Sequence, residues 1–153
     1  MPASSVFPYC ICTTVAEKAL RGLLENTGRG TYKDSHPWLV AQEIQQMAGA
    51  ENGKLPILFA TGSPAQFSHW AFIQSLSVVE LHRASFESVC EFSRLEPINP
   101  IWTDIDSVFL KPTHEQLQRE VLEDIHQHRY PLTEGEIHPY AICETPAFIL
   151  QQD

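Results

Sequence analysis

The sequence predicts one α+β domain, residues 1–153, built on a small, mainly antiparallel sheet that is strongly curved or barrel-like and flanked by helices. Three observations predict it. The length is that of an ordinary single domain, and a chain of this size buries roughly 70% of its unfolded surface without help from a disulfide or metal. Helical and extended patterns do not alternate regularly, as a doubly wound parallel sheet requires. Eleven prolines are spread along the chain, which suits short elements with fixed turns rather than a long-helix bundle.

Taken in order, Phe7–Thr14 (FPYCICTT) is β-branched and aromatic enough for a first strand. Thr14 then caps a helix over Val15–Glu25, in which Ala16, Ala19, Leu20, Leu23 and Leu24 recur at helical spacing. Gly28 and Gly30 mark Asn26–Asp34 as a loop. Ser35 and Pro37 start a second helix whose buried stripe is Leu39, Val40, Ile44 and Met47. Leu55–Ala60 is wholly apolar, as in a strand buried on both faces. Trp70–Leu81 predicts a long or bent strand. Phe86, Ser88, Cys90 and Phe92 alternate with Glu87, Val89 and Glu91 in a half-exposed one. Ser107–Lys111 reads as a further short strand. Thr113 and Gln116 fit a capping box ahead of a helix with Leu117, Val121, Leu122 and Ile125 on its apolar face. His138–Ile149, broken by Pro139 and Pro146, reads as an extended edge strand or ordered closing loop.

The formal net charge of −9 is unevenly placed. Residues 1–75 are neutral, and residues 76–153 hold the whole excess of acid. An acidic half repels phosphate backbones, so a nucleic-acid site would lie on the neutral half. Acidity also serves solubility by itself. The N-terminus lacks the pattern of a secretory signal, and no apolar run approaches the ~20 residues that cross a bilayer. The expected compartment is the cytoplasm, with no membrane partner and with Cys10, Cys12, Cys90 and Cys143 reduced.

Several residue groups carry atoms suited to chemistry. Cys10 and Cys12 on one strand face could begin a soft-metal site, but a structural zinc site wants four ligands in close pairs, and Cys90 and Cys143 stand alone in sequence. His126 and His128, beside Glu123 and Asp124, have a spacing that suits a strand rather than the helix they fall in. No metal site and no cofactor are therefore expected. There is no Gly-x-Ser-x-Gly elbow and no phosphate-binding glycine loop. Arg21, Arg29 and Lys33 around Tyr32 read as a solvated loop or a small basic lip. The aromatic residues are the most suggestive. Trp38, Trp70 and Trp102 each sit beside polar or turn-forming neighbours, and two or three such faces can sandwich a planar base. Core tryptophans at element ends give the same pattern.

The segment Gly53–Gly62 (GKLPILFATG), followed by the strand Trp70–Leu81, resembles the PUA-like group of small barrels that includes the EVE, ASCH and YTH families. The resemblance covers roughly residues 53–111. It departs from the pattern at Lys54, where an Asp is usual, and the G-x-K-x-x-E-x-R signature of ASCH domains is absent. It implies binding of RNA or of a modified DNA base in an aromatic pocket. Trp38, Trp70 and Trp102 are then the pocket walls, and Ser68, His69 and Asn99 read the base edge. Two other functions stay open. One is hydrolysis of an amide or nucleoside small molecule on the same fold, with Lys111, Glu144 and His69 as the residues to inspect. The other is a non-catalytic interaction module whose acidic half docks a basic protein partner.

Overall fold

The computed structural model describes residues 5–25, 29–62, 65–83, 85–98, 104–112, 116, 118, 121–122 and 130–150. The fold is α+β. Its strands are β1 (Ser5–Val6), β2 (Tyr9–Thr14), β3 (Arg29–Asp34), β4 (Gly53–Thr61), β5 (Gln66–His82), β6 (Ser85–Ser93), β7 (Glu96–Pro97) and β8 (Ala141–Glu144). Its helices are α1 (Glu17–Glu25), α2 (Leu39–Ala50), α3 (Glu134–Ile137) and α4 (Ala147–Leu150), with a 3₁₀ turn at Ile105–Ser107. The sheet runs in the order β3-β6-β5-β4-β2-β8, with β1 also beside β4 and β7 beside β5. It is mixed. β1 and β2 pair with β4 in parallel, and the other pairs are antiparallel.

Of the barrel-like or strongly curved sheet expected, the barrel is not formed: among the described residues the end strands β3 and β8 do not pair with each other, so the sheet is open, and a curved sheet is compatible with this order. The chain nevertheless wraps one face. Asp104 bridges to Gln66 of β5 and Leu110 to Cys143 of β8, so the segment between them spans from one strand to the other. Phe109 in turn bridges to Pro131. The strand expected at Ser107–Lys111 is thus a 3₁₀ turn followed by single bridges.

Strand β4 lies between β5 and β2, and Leu55–Ala60 is buried throughout, as its unbroken apolar run requires. Alternate residues of β2, β4 and β5 feed two separate cores. Ile11, Ile57, Phe59, Ala71 and Ile73 pack with Leu20 of α1 and with Trp38, Ala41, Ile44 and Ala48 at α2. Cys10, Cys12, Leu58, Ala60 and Trp70 pack on the other face with Ile105, Val108, Leu132, Ile137, Cys143 and Ile149.

Three local expectations change for physical reasons. Residues 29–34, expected within a loop, form β3 against β6. Gly30 lies opposite Phe92, and a Cβ there would come within 2.7 Å of the Phe92 ring, so this glycine makes room for an aromatic side chain. Helix α1 starts at Glu17 because Thr14 ends β2 and the Val15 N–H donates to the Ala60 carbonyl at 2.8 Å, prolonging the parallel ladder. Helix α2 buries Ala41, Ile44 and Ala48 and exposes Leu39 (55%), Val40 (53%) and Met47 (48%). Trp38, just ahead of its first turn, supplies the bulk, and the two alanines let the helix lie close to the sheet. Ser88 of β6 fixes that turn: the Trp38 N–H donates to its hydroxyl at 2.9 Å, and the hydroxyl donates to the His36 carbonyl at 2.5 Å.

Of the last predicted helix, Gln116, Gln118, Val121 and Leu122 are helical, and Val121 and Leu122 are exposed rather than buried. Thr113, Leu117, Ile125, His126 and His128 lie outside the described residues. No helix among the described residues is long and apolar enough to cross a membrane.

Candidate functional site

Parallel strands β2 and β4 end side by side, and a cleft of about 630 Å³ opens where they do. Thr14, Val15, Ala16 and Glu17 line it from the β2–α1 junction, Thr61 and Gly62 from the end of β4, Tyr32 from β3, and His138 from the segment before β8. In open sheets the carboxyl ends of parallel strands are where ligands sit, because the chain diverges there and leaves backbone and side chains facing a crevice.

The cleft has an aromatic wall. Tyr32 packs edge-on to Phe59 at 5.6 Å between ring centres and tilts against Trp38 at 6.0 Å, while Trp38 lies 4.8 Å from Tyr140. Polar contacts fix this row. The Trp38 indole N–H donates to Asp34 at 2.6 Å, the Tyr32 hydroxyl donates to the Thr14 carbonyl at 3.1 Å, and the Tyr140 hydroxyl accepts the Ala41 N–H at 3.3 Å. Burial, reinforced by the Asp34 charge, pushes the Tyr32 phenol above its usual range, so it is neutral and keeps its proton for Thr14. Thr13, buried behind the cleft, donates to the Pro139 carbonyl at 2.6 Å and so anchors the His138 segment. Beside it, Asp34 holds the His36 ring nitrogen at 3.2 Å, and the His36 and His138 rings meet edge-on at 5.5 Å.

One atom in the cleft is out of balance. The Thr61 hydroxyl oxygen is buried and has no hydrogen-bond partner among the described residues. Leaving such a group unmet costs about 1–3 kcal/mol.

Of the six residues singled out from the sequence, the four that are described, Trp38, Ser68, His69 and Trp70, do not line this cleft. Trp38 comes nearest, as the support behind Tyr32. Trp70 lies opposite Leu58 in the other core, against Phe72 and Phe148, so the sheet itself separates it from Trp38. A single pocket walled by both is not what the fold builds. Ser68 is the extra residue of a bulge in β5, and its hydroxyl lies 3.0 Å from the His69 ring nitrogen. Burial lowers the His69 pKa. His69 faces the first core, opposite Phe59, so it and Trp70 point to opposite sides. Asn99 and Trp102 lie outside the described residues.

Of the three residues to inspect for hydrolysis, His69 lies apart from the other two. Lys111 sits over the Tyr9 ring at 5.1 Å, and Glu144 pairs with Tyr9 across the sheet, whereas His69 is on β5, beyond β2 and β4. Lys33 alternates with Tyr32 along β3 and faces away from the cleft. No group of three or more His, Cys, Asp or Glu among the described residues is arranged to hold a metal ion.

The sequence signal for this cleft is slight. It consists of a hydroxyl residue at the end of each of two apolar strands, Thr14 and Thr61, the second followed by Gly62, whose φ of 95° turns the chain away. Comparison with family models, with curated proteins and with solved structures gives no match.

Proposed function

We propose that this chain binds one planar, polar small molecule of nucleobase or nucleoside type in the cleft between Thr14, Tyr32 and Thr61. The observation that carries the reading is the Thr61 hydroxyl, buried and without a partner among the described residues, on a residue that lines a cleft of about 630 Å³ beside Tyr32. That volume lies within the usual range for small-ligand sites. Tyr32, backed by Trp38, offers a face for stacking. Thr61, Thr14, Glu17 and His138 offer hydrogen-bonding groups to the edge of a heterocycle. Glu17 at the mouth and the net charge of −9 disfavour a polyphosphate or a long nucleic-acid strand. A single base extruded from RNA or DNA is the macromolecular form of the same ligand, and it is the form the PUA-like resemblance implies.

The test is intrinsic fluorescence, since Trp38 touches the aromatic wall. The protein is titrated with nucleobases, nucleosides and modified nucleosides. Saturable quenching is expected. It should weaken about tenfold in Thr61→Val, which keeps the side-chain shape and removes the hydroxyl, and by a comparable or larger factor in Tyr32→Ala, since stacking contributes ~1–3 kcal/mol per base. Quenching that both variants leave unchanged places the site elsewhere. No response from any of these compounds removes the reading.

A further inference from the structure

Two cysteines that are far apart in sequence meet in the second core. Cys10 on β2 and Cys143 on β8 are register partners, and Cys12 stands two residues along β2 with its sulfur 3.9 Å from that of Cys10. All three are fully buried. The Thr145 N–H donates to the Pro8 carbonyl at 2.9 Å, which marks every second pair of this ladder, Cys10–Cys143 included, as hydrogen-bonded. Such pairs hold their Cα atoms about 5.5 Å apart, close to the commonest separation in disulfides. Cys10 and Cys12, two residues apart on one extended strand, are separated by about 6.6 Å, at the outer limit of that range.

We propose that Cys10 and Cys143 form a reversible disulfide by exchange with a low-molecular-weight disulfide, stapling β8 to β2. The Cys143 thiol gives up its proton and its sulfur attacks one sulfur of the small disulfide, whose other half leaves as a thiol. The Cys10 thiol then loses its proton, and its sulfur attacks Cys143 and expels the second half. Two protein thiols are oxidised to one disulfide, and one small disulfide is reduced to two thiols.

Access comes from the side of β8. Glu144 and Thr145 line a second cleft of about 360 Å³, and the Glu144 carbonyl lies 3.7 Å from the Cys10 sulfur, so one stretch of backbone separates that cleft from the thiols. Burial pushes the Cys10 and Cys12 thiols above their usual range, and for Cys12 the neighbouring thiols add to the rise. They are protonated and unreactive while β8 is seated, so exchange is limited by the lifting of this four-residue strand. The proposal does not depend on what the Thr61 cleft binds.

The experiment incubates the full chain with oxidised glutathione, blocks free thiols with N-ethylmaleimide and maps the unreduced peptides by mass spectrometry. A Cys10–Cys143 link is expected in the wild type, in Cys12→Ser and in Cys90→Ser. Dithiothreitol removes it, and the linked form melts at a higher temperature than the reduced form. A Cys10–Cys12 or Cys12–Cys143 link, a lasting mixed disulfide with glutathione, four free thiols after prolonged exposure, or a linked form that melts no higher overturns the proposal. Cys143→Ala should abolish the link. If that variant does not fold, the wild-type peptide map decides alone.

Discussion

The two faces of the sheet are covered in different ways. The first core lies under two regular helices, is rich in aromatic and branched side chains, and opens at one end into the Thr61 cleft. Among the described residues the second lies under short pieces, namely a 3₁₀ turn, single bridges and two four-residue helices, and it holds three thiols. These pieces are tied down by backbone hydrogen bonds. Leu110 donates to Tyr130, Lys111 to Ile142, Leu132 to Val108 and Glu144 to Phe109. Irregular cover works there because buried backbone groups find partners in one another rather than within a helix. The two faces also differ in their openings: the helical face ends in a cleft of about 630 Å³, and the irregular face carries one of about 360 Å³ beside Glu144 and Thr145.

The sharpest way to break this comparison is to truncate one tryptophan on each face. Trp38→Ala and Trp70→Ala should each lose about 3–5 kcal/mol in urea unfolding, because both indoles are buried. They should differ in binding. Trp38→Ala removes the support for Tyr32 and weakens ligand binding, followed by calorimetry, whereas folded Trp70→Ala binds as the wild type does. Equal loss of binding in both would show that the two faces share one site.

Overpacking the first face comes next. Gly30→Ala drives a methyl group into the buried Phe92 ring and should cost about 1–3 kcal/mol in the same unfolding assay. An unchanged midpoint would mean that β3 is not seated on β6 as described.

A smaller effect should appear with pH. His69 has a folded-state pKa lowered by burial from the usual 6.5. Above pH 6.5 the ring is neutral in both states and the fold loses nothing. As pH falls below 6.5 the unfolded chain takes the proton first, so stability drops until pH passes the folded pKa and then levels off. His69→Gln should flatten that part of a stability–pH curve measured by denaturant midpoints. An identical slope in the variant would assign the acid sensitivity to other groups.

The smallest effect concerns the outer side of α2. Leu39→Gln and Met47→Gln should change stability by no more than about 0.5 kcal/mol, because both side chains are about half exposed. Ile44→Ala, on the buried side, should cost about 2–5 kcal/mol. A reversed ranking in thermal unfolding would mean that α2 buries its larger apolar side after all.

Much of the sheet was legible from local pattern. The apolar run Leu55–Ala60 is the fully buried strand β4, the alternation around Cys90 is β6, and the mixed run from Trp70 lies within the long β5. The site was not legible in the same way. Its best visible signal, the three tryptophans, pointed to one pocket, whereas Trp38 and Trp70 ended on opposite faces. The bulge at Ser68 shows why: one extra residue in a strand changes which side chains face which core, and nothing in the residues around it announces this.

By itself the sequence determined the α+β class, the central apolar strand and the order of the principal elements, because residue type and periodicity report how each segment meets water. Only the tertiary structure decided that Gly30 makes room for Phe92, that Trp38 rather than Leu39 fills the space beside α2, and that Cys143 comes to rest opposite Cys10. It also decided that Thr14, Tyr32, Thr61 and His138 would frame one cleft. Each of these depends on partners distant in sequence, and a local pattern carries no information about which distant segment will lie across from it.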